Sequence, residues 1–174
     1  MEMTLPVVLS VDDNDVDGAL LQRAFKRAGI PAKLFTLTEG PQAFCYLNGE
    51  GIFADRATYP LPDLILLDIR MPRLSGHELL TWIRSQPLLK KTTILIFSGS
   101  SSTEDVKLAK SMGADGYIIK PTKFNALQDL VRELYSKWLD PKRKSKSKVK
   151  AGAKEGETQA TPSSNSPESE LVAN

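Results

Sequence analysis

The chain has 174 residues, 41% of them hydrophobic and 25% charged, which suits one soluble domain of ordinary size plus an extension. Residues 1–139 carry 16 Lys and Arg against 16 Asp and Glu, so the net charge of +2 arises in the last 35 residues, with 7 against 5. A neutral body gives no broad reason to bind nucleic acid, no apolar run is long enough to span a bilayer, and the N-terminus lacks the pattern of a signal peptide.

Pro6 to Val11 predicts a first strand ending at Asp12-Asp13. Asn14 or Asp15 can cap a helix over 16–28, with Ala19, Leu20, Ala24, Phe25 and Ala28 as its apolar face and Gly29 as its stop. Residues 32–37 read as a second strand. Pro41 suits the start of a second helix that buries Ala43, Phe44 and Leu47. Its Cys45 is the only cysteine, so no internal disulfide can form; this fits a reducing, cytoplasmic setting and a packed thiol rather than a reactive one. Residues 49–62 form a long loop of a length that is often functional or variable.

Leu64-Ile65-Leu66-Leu67 has no polar alternation, which predicts a central parallel strand covered on both faces. It ends on Asp68. After Gly76 a third helix runs to Ser85 with Leu79, Leu80, Trp82 and Ile83 inward, and His77 reads as a surface position near its start. Thr92 to Phe97 is a fourth strand ending at Ser98-Gly99. Ser102 caps a fourth helix with Asp105 able to reach back, and Val106, Leu108, Ala109 and Met112 face inward. Tyr117 to Ile119 is a short fifth strand closed by Lys120-Pro121, and a last helix follows over 123–139. From Asp140 the chain turns basic and then rich in Ser, Pro and Glu; it cannot bury enough surface to offset ordering entropy and is expected to be disordered. Its basic run, 142–150, reads as a flexible solubilising tail rather than a nucleic-acid or lipid contact. The expected division is 1–139 folded and 140–174 tail.

Five strands alternating with five helices predict an α/β domain with a parallel sheet, for which 2-1-3-4-5 is one common strand order. Asp12, Asp13, Asp68, Ser98 and Lys120 then all fall on one edge of that sheet. Three carboxylates in one crevice repel unless a cation intervenes, and an all-oxygen acidic site suits Mg²⁺. Asp68 can act as a carboxylate nucleophile toward a phosphoryl group, with Lys120 as a fixed charge and Ser98 as a hydroxyl donor. Asp15 and Asp17 read as helix cap and solvated face.

These residues resemble the receiver domain of two-component response regulators: the pair Asp12-Asp13, Asp68 followed by Met71-Pro72 and Gly76, Ser98-Gly99, and Tyr117 three residues before Lys120-Pro121. The resemblance covers residues 7–139. It implies a flavodoxin-like (βα)5 doubly wound fold and a stand-alone phosphoprotein of signal transduction. Asp68 would be the 4-aspartylphosphate site, and Asp12, Asp13, Asp68 and the backbone carbonyl of Arg70 would hold Mg²⁺. Ser98 and Tyr117 would switch the face formed by helix 4, strand 5 and helix 5, and Gly99 would leave room beside the acceptor. The expected partners are a histidine kinase or phosphotransfer protein upstream and a protein target downstream, with no nucleic acid for the folded domain and no membrane. Within the family the loop at 49–62 and Lys137-Trp138-Leu139 look most like regulators serving bacteriophytochrome-type kinases, which suggests a dimer. Arg70 and Ser100 stand where other members often place an amide or acid that orients a hydrolytic water, so slow dephosphorylation is expected, with no turnover of a separate substrate.

The rival readings are a dehalogenase-like phosphatase, which needs a second Asp where this chain has Arg70, and a receiver-like interaction module that takes no phosphoryl group. The intact Asp68, Lys120 and acidic pair argue against the latter.

Overall fold

The computed structural model describes residues 4–141. The chain divides into two units, Met1–Asp140 and Pro141–Asn174. Of the tail expected over 140–174, residues 142–174 lie outside the described residues.

Strand β1 (Val7–Val11) and strand β3 (Leu64–Leu67) are buried along their whole length, as unbroken apolar runs in a doubly covered sheet must be. With β2 (Lys33–Leu37), β4 (Thr93–Ser98) and β5 (Gly116–Ile119) they form one five-stranded sheet in the order β2-β1-β3-β4-β5, all parallel. Successive side chains alternate faces. Leu9, Val11, Ile65, Leu67, Ile94 and Ile96 pack on one side against α2 (Gly40–Asn48) and α3 (Gly76–Ser85), with Ala109 of α4 (Thr103–Ser111). Val8, Leu64, Leu66, Leu95 and Phe97 pack on the other against α1 (Asp15–Ala28) and α5 (Phe124–Leu134). Each such Leu, Ile or Phe contributes roughly 1.5–3 kcal/mol of burial, which is what holds the strands in register.

Helix ends follow local chemistry. Asn14 Oδ1 accepts from the Val16 N–H at 3.0 Å, and Gly29 ends α1 at φ 65°, a left-handed conformation that only glycine adopts cheaply. Ser75 and Glu78 form a reciprocal capping box on α3. The helical turns widen after Leu134 into a π turn over Tyr135–Leu139, which brings Leu139 into the core. Among the described residues no helix is long and apolar enough to cross a membrane.

Several sequence expectations are corrected. The stripe of α1 that meets the sheet runs through Leu21, Ala24 and Phe25 at i, i+3 and i+4, while Ala19 and Leu20 are exposed. On α2 Tyr46 is fully buried; Phe44 is only half-buried and stacks on half-buried Trp82, ring centroids 4.3 Å apart. On α4 only Ala109 is buried, leaving Val106 and Leu108 exposed. Asp105 does not complete a capping box: Ser102 Oγ accepts from its N–H, but its carboxylate turns to Ser100 and Arg70. The 49–62 loop is packed. Arg56 donates to the carbonyls of Tyr46 (2.7 Å), Leu47 (2.7 Å) and Tyr59 (3.2 Å), closing the open end of α2. Phe53 and Tyr59 stack around Tyr46, whose hydroxyl donates to the Pro60 carbonyl at 2.9 Å.

Candidate functional site

Sheet register assembles the site. Val11 pairs with Leu67, so the residues that follow, Asp12 and Asp68, emerge side by side. Leu67 pairs with Ile96, and Ser98 with Ile119, which brings Ser98 and then Lys120 to the same edge. The edge is pinned by backbone bonds from Asp12 N–H to Leu37, Asp68 N–H to Val11 and Lys120 N–H to Ser98. Gly76 lets α3 begin against this strand end: a Cβ there would lie 2.1 Å from the Asp68 carbonyl oxygen, a position no side chain can occupy.

Asp12 and Asp68 are buried and Asp13 is exposed, and one carboxylate oxygen from each lies within 4.8 Å of the others. Lys120 Nζ donates to Asp12 Oδ2 at 2.7 Å, Asp68 Oδ2 at 2.9 Å and Asp17 Oδ2 at 3.0 Å. Burial pulls on the ammonium toward neutrality, but its bonds to Asp12, Asp68 and Asp17 outweigh it and hold the lysine above its ordinary value. Burial raises the Asp12 carboxyl above its ordinary value despite bonds from Lys120 and the Asn14 N–H. One ammonium against three clustered carboxylates and Asp17 leaves the crevice negative. This hard-oxygen set, with Asp13 open to solvent, fits a divalent cation such as Mg²⁺.

An open cleft of about 440 Å³ lies over these groups, lined also by Arg70, Ser98, Gly99 and Ser100. Ser98 is buried, and its Oγ accepts from the Ser100 N–H at 3.3 Å. A Cβ at Gly99 would meet no atom within 4 Å, so packing does not demand the glycine. The Arg70 N–H donates to Asp68 Oδ1 at 3.1 Å, while its exposed guanidinium reaches Ser100 Oγ at 3.3 Å and Asp105 Oδ2 at 3.2 Å. Ser100 Oγ also donates to Asp105 Oδ2 at 2.5 Å. That bond, with Arg70 beside it, holds the Asp105 carboxyl below its ordinary value. Half-buried Tyr117 donates its hydroxyl to the Ser100 carbonyl at 3.0 Å. A chain of contacts thus runs from the cleft through Ser98 and Ser100 to Tyr117 and α4.

Two residues depart from their sequence reading. Asp17 belongs to the site rather than to a solvated face; its signal was its place in the first turn of a helix that starts at the acidic edge. His77 is half-buried rather than a surface position, and its Nε2 is enclosed without a hydrogen-bond partner.

The chain matches the family model of the response regulator receiver domain over residues 8–132. Response regulator Rcp1 of Synechocystis sp. is 30% identical over 134 residues, covering 77% of this chain and 89% of Rcp1. The structure of Rcp1 in its Mn²⁺-bound form superposes with a TM-score of 0.68 at 29% identity, over 78% of this chain and 96% of that one. Response regulator RPA3017, of red light signaling in R. palustris, gives a TM-score of 0.73 at 33% identity, over 78% and 95%. The phosphorylated cyanobacterial phytochrome response regulator RcpA gives 0.70 at 30%, over 78% and 94%.

Proposed function

Because the chain belongs to the response regulator receiver domain family, a family of signalling modules rather than of enzymes turning over a separate substrate, we propose that Asp68 accepts a phosphoryl group from a histidine kinase or phosphotransfer protein. The observation that carries this reading is the Lys120 ammonium 2.9 Å from Asp68 Oδ2 beside two further carboxylates. Asp68 forms the new O–P bond as the P–N bond to the donor histidine breaks, and the bonding pair leaves with the imidazole nitrogen. Lys120 stabilises the charge that develops on the transferring oxygens. Asp12, Asp13, Asp68 and the backbone carbonyl of Arg70 would hold Mg²⁺, which when bound neutralises phosphoryl charge. Ser98 then bonds the phosphoryl oxygens. Because Ser100 N–H rests on Ser98 Oγ and Tyr117 on the Ser100 carbonyl, movement of Ser98 reaches β5 and α4 and alters the face a partner reads.

The likeness to phytochrome-associated regulators extends the reading to a kinase of that type, to a cytoplasmic setting and to pairing with a second copy of the chain. Folded domain 1–139 followed by tail 140–174 is the organisation this implies. Arg70 and Ser100, engaged with Asp105, offer no free amide or acid to orient a hydrolytic water, so the acyl phosphate is long-lived.

Incubation with acetyl phosphate and Mg²⁺, followed by intact mass, tests the proposal. The expected result is the gain of one phosphoryl group, lost in Asp68→Asn and decaying slowly once the donor is removed. No gain in the wild-type chain would leave the interaction module that takes no phosphoryl group as the better description.

A further inference from the structure

One carboxylate outside the set used above reaches the same lysine. Asp17 is the third residue of α1 and 103 residues from Lys120 in sequence, yet its Oδ2 lies 3.0 Å from Nζ. An ammonium has three N–H donors. Asp12, Asp68 and Asp17 give it three acceptors from three different elements, so every donor is engaged. The Phe97 ring lies 6.0 Å from Nζ to its centroid, at the edge of cation–π range, where it sets no direction for the N–H donors.

The consequence follows from what phosphorylation does to Asp68. Its carboxylate becomes the neutral acyl part of a mixed anhydride, and the donor that faced it is free for a phosphoryl oxygen. Asp12 faces the crevice and shares in any cation bound there. Asp17 lines the cleft beside Asp68 and Lys120 but stands outside the cluster of three carboxylates, and it holds the ammonium from α1. Its side chain is 31% exposed and that of Lys120 16%, so water competes only partly for the bond. A lysine stem has four rotatable carbons, and without a lateral tie the ammonium has other rotamers open to it.

We propose that Asp17 is a positioning residue for phosphoryl transfer: it ties the Lys120 ammonium to α1, so that the donor facing Asp68 stays aimed at the incoming phosphoryl group. The proposal rests on the reading of Asp68 as the phosphoacceptor. Its structural rival is a charge that merely favours the start of α1, a task Asn14 already performs as the cap.

The test uses the full chain as wild type, Asp17→Ala and Asp17→Glu. With acetyl phosphate and saturating Mg²⁺, Asp17→Ala lowers the maximal phosphorylation rate about tenfold, the half-saturating acetyl phosphate concentration stays within about twofold, and Asp17→Glu recovers part of the rate. A second readout is independent of phosphorylation. Acylation of lysines by an amine-reactive reagent, read by mass spectrometry, gives Lys120 labelling relative to exposed Lys91. That ratio rises severalfold in Asp17→Ala and falls back in Asp17→Glu. An unchanged labelling ratio or an unchanged maximal rate overturns the proposal, and a lowered melting temperature with unchanged labelling assigns Asp17 to the helix start alone. A wild-type chain that takes no phosphoryl group overturns the parent reading and the transfer role with it. The labelling ratio then still distinguishes that failure from a failure of Asp17 to hold the lysine.

Discussion

Lys120 and Arg56 are both drawn into this domain, and they are satisfied in opposite ways. Lys120 meets three carboxylates carried by α1, β1 and β3 at the carboxyl edge of the sheet. Arg56 meets three neutral carbonyls, two at the end of α2 and one in its own loop. The first arrangement gathers charges that repel one another, under an open cleft, and so holds a lysine where incoming negative charge can use it. The second closes a helix end and a loop with dipoles alone and leaves no charged partner to exchange. Lys120 and Arg56 are therefore told apart by what they are bonded to, since both are partly buried and both are engaged.

The distinction can be broken or sharpened by experiment. The largest effect is expected for Lys120→Met, which lowers the rate of phosphoryl acceptance about 10²–10³-fold by removing a preorganised positive charge. Intact-mass time courses with acetyl phosphate measure it, with circular dichroism on the same samples. Loss of rate through unfolding would collapse the distinction. Arg56→Met acts on the other side: it strips three carbonyls of a charged donor and destabilises the fold by about 3 kcal/mol in urea, with phosphoryl acceptance within about twofold of wild type. A large fall in acceptance by folded Arg56→Met would make Arg56 more than architectural.

The smallest effect lies next to Arg56. Burial pushes the Tyr46 hydroxyl up to about 12 from 10.0. A raised value means that its stabilising contribution is complete below pH 10 and is lost as pH rises toward 12, because the unfolded tyrosine ionises first. The stability of wild type relative to Tyr46→Phe should therefore fall by about 2 kcal/mol between pH 10 and pH 12. Paired urea titrations across that range check it, and a constant difference would mean the hydroxyl is not held neutral by burial.

The sheet and the strand-end groups were legible in the sequence because each strand is a short apolar run closed by a polar residue, and parallel register converts closing residues into neighbours. Asp12, Asp68, Ser98 and Lys120 come together for that reason alone. What escaped depends on where helices lie. Leu21 rather than Leu20 faces the core because the stripe that packs runs through Leu21, Ala24 and Phe25, and Leu20 lies one helical step away from it. Val106 and Leu108 stay exposed because α4 meets the sheet only through Ala109. Asp17 and Asp105 both sit in first turns, where a carboxylate can cap, face water or cross to another element. Local pattern does not choose among these; the position of Lys120 and of Arg70 does.

The register of β3 also sets where this chain can grow. Side chains on a strand alternate faces with a period of two, so one residue inserted between Leu64 and Leu67 would invert every position after it and carry Asp68 to the wrong side of the sheet. An insertion among exposed Leu88, Lys90 and Lys91, before β4 begins, would leave all four strand ends where they are. Added length is therefore tolerated at the amino end of the sheet, while the spacing of residues 64–68 is fixed by the side of the sheet on which Asp68 must emerge.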